Sequence, residues 1–127
     1  AILKSDLRAH RDRLVLAIGT TVVRALEDAA ARDGHVRCGM GTATLLVNSR
    51  TPLRVVDSLV TGQHEPGTSH YELLRAFQDD EALERAIGEA NAEAYRTHEF
   101  GDSLFVVRSV RPQGQGLRPQ GCLRPEP

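Results

Sequence analysis

No stretch of the chain approaches the ~18 consecutive apolar residues of a membrane-spanning helix, and no charged-then-apolar leader with a cleavage site opens it. The expected compartment is the cytosol, with no membrane partner. Cysteine is scarce: Cys38 and Cys122 stand far apart, one of them in a Pro/Gly-rich tail, which gives neither a disulfide framework nor a zinc spacing. Two reduced thiols are expected. Excess charge is lacking too, since 16 Lys and Arg against 17 Asp and Glu leave a formal charge of −1. The chain as a whole therefore has no basic surplus with which to bind nucleic acid mainly through phosphates. The sequence opens on Ala1 rather than Met and runs at once into a mixed, charged segment, AILKSDLRAHRDR, so it reads as an excerpt of something longer.

What is present suits one globular domain, because 127 residues with 40% hydrophobic content can bury about two-thirds of their unfolded surface. Charge is unevenly spread. From His64 to Asp102 there are ten Asp or Glu against three Arg, whereas from Arg108 onward four Arg face Glu126 alone. Leu14 to Ile18 (LVLAI) is a short apolar run ending at Gly19, the pattern of a buried strand. A helix is predicted next, capped by Thr20 or Thr21, with Val22, Leu26 and Ala29 or Ala30 at helical spacing and Gly34 as its left-handed C-terminal residue. Strands are predicted at Val36 to Cys38, Thr42 to Val47 and Leu53 to Val60, separated by Gly39, Gly41 and the NSRTP turn. Two helices follow. Ser69 and Glu72 read as a capping box for the first, and Leu83, Ile87, Ala90 and Ala94 line one face of the second. Ser103 to Val107 (SLFVV) makes a final strand, and residues 110–127, with their repeated Arg-Pro units, are expected to be a disordered Pro/Gly/Arg tail.

Three constellations could carry chemistry. In the first, Gly19, Thr20 and Thr21 sit between a strand and a helix start, with Arg24 one turn on. Free backbone N–H groups, hydroxyls and a guanidinium could hold a carboxylate or phosphate there; a capped helix with Arg24 in solvent is the plain alternative. The second is TGQHEPGTSHYELLRAF, Thr61 to Phe77, where His64 beside Glu65 could act as general acid or base, or be a surface histidine. His64 and His70 lack a third ligand at metal spacing, so no metal is expected. The third is YRTHEFGD, Tyr95 to Asp102, where Asp102 could close a turn or bind a ribose hydroxyl at the mouth of a sheet.

Taken in order, these motifs resemble the C-terminal part of the S-adenosylmethionine:tRNA ribosyltransferase-isomerase family of queuosine biosynthesis, over roughly Leu14 to Val107. LVLAIGTTVVRALE is similar to the family's strand, GTT turn and helix. LRVVDSLVTGQHEPGTSHYELLRAF is similar to its VVD, T-N-F-H-x-P and following helix, and AYRTHEFGDSLFV to its Y-R-F-x-x-Y-G-D segment. Gly62, Gln63 and Glu65 stand where the common pattern has Asn, Phe and an apolar residue, and Gly67 replaces a usual Lys or Arg.

The resemblance implies an α/β fold over residues 1–109, a sheet with packed helices like the C-terminal half of the family's α/β domain, without the family's inserted β-barrel. It also implies a transferase and isomerase that moves the ribosyl part of S-adenosylmethionine onto an aminomethyl-deazaguanine base in the tRNA anticodon loop, giving epoxyqueuosine. S-adenosylmethionine would be a substrate that donates ribosyl, and tRNA the macromolecular partner. On that reading His64 is the candidate for proton transfer, Gly19, Thr20, Thr21 and Arg24 for anion binding, and Asp102 for a hydroxyl or amine. Two further classes stay open: a non-catalytic S-adenosylmethionine- or nucleotide-binding module, and an inactive fragment.

Overall fold

The computed structural model describes residues 2–3, 14–96 and 101–109. The expected tail from residue 110, Cys122 and the THEF segment, residues 97–100, lie outside the described residues. The elements run β1 (Ile2–Leu3), β2 (Leu16–Ile18), α1 (Thr20–Asp33), β3 (Gly39–Met40), β4 (Ser58–Gly62), α2 (Ser69–Leu74), α3 (Asp80–Ala92) and β5 (Ser103–Val107). β2, β4 and β5 form one sheet in that order, with β4 parallel to β2 and antiparallel to β5. β1 and β3 make a separate antiparallel ribbon. The expected α/β class is therefore observed, and the described residues hold a three-stranded sheet with helices packed on it rather than a barrel.

Strand direction places the site. Because β2 and β4 are parallel and β5 runs antiparallel beside β4, the C-terminal ends of β2 and β4 and the N-terminal end of β5 share one edge of the sheet; Gly62 pairs there with Ser103. Gly19 ends β2 with φ 94°, a conformation that L side chains rarely adopt, and its N–H donates to Val60 O at 2.8 Å. The chain can then turn straight into α1. Gly34 closes that helix in the left-handed region, donating to Ala30 O, as its position in the sequence predicts.

One face of the sheet is buried and the other is open. Ala17, Leu59 and Val106 join Val23, Val56, Leu74, Phe77 and Leu83 in the core, with Leu59, Val23 and Val56 fully buried. The alternate positions Leu16, Ile18, Phe105 and Val107 are exposed, and the register puts Ile18, Val60 and Phe105 side by side on that face.

Several local expectations need correcting. The buried side of α1 is Thr20, Val23, Glu27, Asp28 and Ala30, and Val22 is exposed; the true stripe includes two acids, which a search for apolar periodicity passes over. The cap of α1 is Gly19, with no side-chain hydrogen bond, so neither Thr20 nor Thr21 caps it. The cap of α2 is Thr68, whose Oγ1 accepts from Tyr71 N at 3.2 Å, one residue before the expected Ser69. Glu72 instead pairs with Arg75, which also forks onto Asp80.

The largest correction concerns the strands predicted between residues 36 and 57. Val36 to Cys38 is not a strand, and the ladder falls instead on Gly39–Met40. Thr42 to Val47 forms no ladder, and of Leu53 to Val60 the strand begins at Ser58. The physical reason is the two acids on α1. Glu27 accepts from the N–H groups of Arg54, Val55 and Val56 at 2.8–2.9 Å. Asp28 accepts from Thr44 N and Leu45 N at 2.9 and 2.8 Å. Backbone donors that a neighbouring strand would have used are satisfied by helix carboxylates, so the segments form no ladder while Val47, Leu53 and Val56 still reach the core.

Candidate active site

The sheet edge gathers the turns that carry the candidate residues. Thr20, buried at the first turn of α1, places Oγ1 2.9 Å from Nδ1 of His70 on α2. The His70 ring stacks on His64, with centroids 4.7 Å apart and planes 25° from parallel. His64 Nε2 in turn lies 2.8 Å from Oγ1 of Thr61, a buried residue of β4. A continuous series of side chains thus links the GTT turn to the TGQH segment, across 50 residues of sequence at its widest contact.

His64 is half-buried and shares with Tyr71, Leu74, Leu83, Ile87 and Leu104 the lining of an apolar cavity of about 20 Å³, room for about one water. Burial, and secondarily the neighbouring His70, hold its pKa below the usual histidine value of 6.5, so the ring is neutral at pH 7 and able to accept a proton. Tyr71 is buried beside it, and burial, assisted by nearby acids, pushes its hydroxyl above the ordinary value of 10.0. With Nε2 engaged by Thr61, the nitrogen of His64 left for chemistry is Nδ1.

The other candidates are placed less closely. Thr21 is exposed beside Thr20. Arg24 lies one turn further along α1, exposed, with Nε donating to Leu45 O at 2.9 Å; that bond fixes the stem of the side chain. Asp102 precedes β5 at the same sheet edge, but its contacts are those of a turn: Oδ2 accepts from Arg96 N at 2.8 Å and its own N–H donates to Arg96 O at 3.0 Å. No described contact joins it to His64 or Thr20. Asp57, of the VVD motif, accepts from Val15 N at 2.8 Å and aligns β2 with β4.

Sequence reasoning missed Thr61 and the bridging position of His70, because a contact between a helix start and a loop 50 residues away leaves no periodic trace. Glu27 was visible in principle: it continues the Thr20, Val23, Ala30 stripe at i, i+3, i+7 spacing. Among the described residues no group of three or more His, Cys, Asp or Glu stands where it could hold a metal ion, and no helix is long and apolar enough to cross a membrane.

A family model described as queuosine biosynthesis protein matches residues 4–106. The chain belongs to this family. The S-adenosylmethionine:tRNA ribosyltransferase-isomerase of Geobacter sulfurreducens is 40% identical over 92 residues, which are 72% of this chain and 27% of that protein. The enzyme of the same name from Thiobacillus denitrificans is 38% identical over 105 residues, 83% of this chain and 30% of that protein. The solved structure of the S-adenosylmethionine tRNA ribosyltransferase from Thermotoga maritima superposes with a TM-score of 0.68 at 31% identity, covering 76% of this chain and 34% of that one. The chain thus spans about three-tenths of the length of these curated relatives, and the resemblance carried by GTT, the T-x-x-H-x-P segment and Gly101-Asp102 is to the same family.

Proposed function

We propose that this chain supplies part of the active site of an S-adenosylmethionine:tRNA ribosyltransferase-isomerase, a cytoplasmic transferase and isomerase of queuosine biosynthesis. The observation that carries the reading is the Thr20–His70–His64–Thr61 series, because it brings an anion-friendly helix start and a neutral imidazole to one sheet edge. In the proposed reaction a base removes a proton beside the sulfonium of S-adenosylmethionine, the glycosidic C–N bond breaks with adenine leaving on a proton supplied by an acid, the aminomethyl-deazaguanine nitrogen bonds to the ribosyl carbon and releases a proton to solvent, and the C–S bond breaks to free methionine. His64 takes the proton through Nδ1 while Nε2–H is donated to the Thr61 hydroxyl. Gly19, Thr20, Thr21 and Arg24 hold the methionine carboxylate or a phosphate at the N-terminus of α1. Asp102, with Oδ2 held by Arg96 N, receives a ribose hydroxyl or the substrate amine on Oδ1.

The acidic balance from His64 to Asp102, ten carboxylates against three Arg, favours a second reading for this chain alone: a module that binds S-adenosylmethionine or a nucleotide without RNA, since such a surface repels phosphate unless another part of the protein supplies positive charge. Two measurements separate the readings. Calorimetry with S-adenosylmethionine tests binding by the chain, and His64→Gln in the complete enzyme tests turnover, expected to fall by about 10²–10⁴ with S-adenosylmethionine binding retained. Full turnover in that variant removes His64 from the reaction. Binding of S-adenosylmethionine with no effect of tRNA in the complete protein selects the second reading.

A further inference from the structure

His70 belongs to neither the anion-binding turn nor the proton-transfer step, yet it touches both. Its ring lies between Thr20 and His64, held by the Thr20 hydroxyl at Nδ1 and stacked on the His64 face. Two imidazolium rings with centroids 4.7 Å apart repel even in water, so a second proton on the pair is disfavoured. The two rings are not equivalent. His70 is exposed, whereas His64 is half-buried against Tyr71, Leu74 and Leu83, where burial disfavours a charge on it.

We infer that His70 is a positioning residue for His64: anchored by the Thr20 hydroxyl at Nδ1, its ring stacks on the His64 ring, holds that ring in its orientation and disfavours a proton on it. The inference deepens the reading of His64 as the proton acceptor and rests on it. The charged and titratable side chains on the elements around the pair include Arg24, Glu27 and Asp28 on α1, Glu65 in the loop, Tyr71 and Glu72 on α2, Asp80, Glu84 and Arg85 on α3 and Asp102 ahead of β5. Glu72 is occupied by Arg75 at 3.0 Å.

The test is a pH titration of the histidine ring nitrogens by proton–nitrogen correlation NMR on the 127-residue chain, with His64→Gln to assign the His64 signal. In the wild type His64 should titrate below the ordinary histidine range. In His70→Phe, which keeps a ring in the stack and removes its charge, the His64 midpoint should rise by about half a pH unit or more, the size expected for two charges at this spacing near solvent. His70→Gln, at an exposed site, provides the same readout should the Phe variant fold poorly. Thr20→Val should change the His70 Nδ1 shift and move the His64 midpoint in the same direction. A His64 midpoint that is the same in wild type and in His70→Phe overturns the proposal, since a His70 that only covers the His64 ring would leave it unmoved when another ring takes its place. The titration needs no substrate, so its outcome is independent of whether S-adenosylmethionine binds, which calorimetry reads separately.

Discussion

Replacing Glu27 with Gln should destabilise this domain more than any exposed substitution, and the structure sets the size of the effect. Glu27 is 1% exposed and accepts three backbone N–H bonds: Arg54 N on Oε2 at 2.8 Å, and Val55 N and Val56 N on Oε1 at 2.9 and 2.8 Å. Gln preserves the volume but offers one acceptor oxygen. Whichever way its amide turns, at least one backbone N–H then faces an NH₂ donor. Losing a charge-assisted bond costs about 1.5–3 kcal/mol, and leaving a buried donor unpaired costs about 1–3 kcal/mol. With partial relaxation of the 53–57 segment, the expected loss is about 2–4 kcal/mol, a large share of the ~5–15 kcal/mol that holds a domain folded. At about 3–6 °C per kcal/mol, between the values for smaller and larger domains, Tm should fall by roughly 6–24 °C. Urea unfolding followed by circular dichroism should show a lower midpoint at unchanged slope, and hydrogen exchange should speed up first at the amides of residues 54–56. A loss below about 0.5 kcal/mol, the range of ordinary surface changes, would refute the reasoning, because the three amides would then have other partners.

Asp28, whose pKa is lowered from its ordinary value by the N–H groups of Thr44 and Leu45, contributes stability that is complete above about pH 4 and is lost as pH falls through its lowered folded value; Asp28→Asn should flatten the acid limb of a urea-midpoint curve. His64 has a lowered folded pKa, so stability is full above pH 6.5 and falls as the pH drops through and below that value, and His64→Gln should remove this slope. Arg24→Ala should weaken S-adenosylmethionine binding by about 1–3 kcal/mol through loss of a charge-assisted contact; unchanged calorimetric affinity would take Arg24 out of the site. Leu59→Ala, fully buried, should cost about 2–5 kcal/mol, whereas Phe105→Ser, 60% exposed on the open sheet face, should leave Tm within a few degrees, both read by thermal melts.

The division between sequence and tertiary structure follows the range of the interactions concerned. Short-range signals were legible: the apolar run ending at Gly19, the left-handed Gly34 after α1, the strand at Ser103–Val107 and the start of α3 near Asp80 all depend on neighbours within a turn or two. The ordered motifs were sufficient to recognise the family, because separated residue patterns retain ancestry even where single residues such as Gly62 and Gln63 have changed. Contacts between distant segments were not legible. Whether the N–H groups of 44–45 and 54–56 would pair with a strand or with a carboxylate depended on where α1 lay, and a helix acid 27–29 residues away took the second set. The site divides in the same way: His64, Thr20 and Arg24 could be named from residue chemistry, but the stacking of His64 on His70, and of both between two threonine hydroxyls, was decided by the parallel pairing of β2 with β4, which brings the two turns to one edge of the sheet.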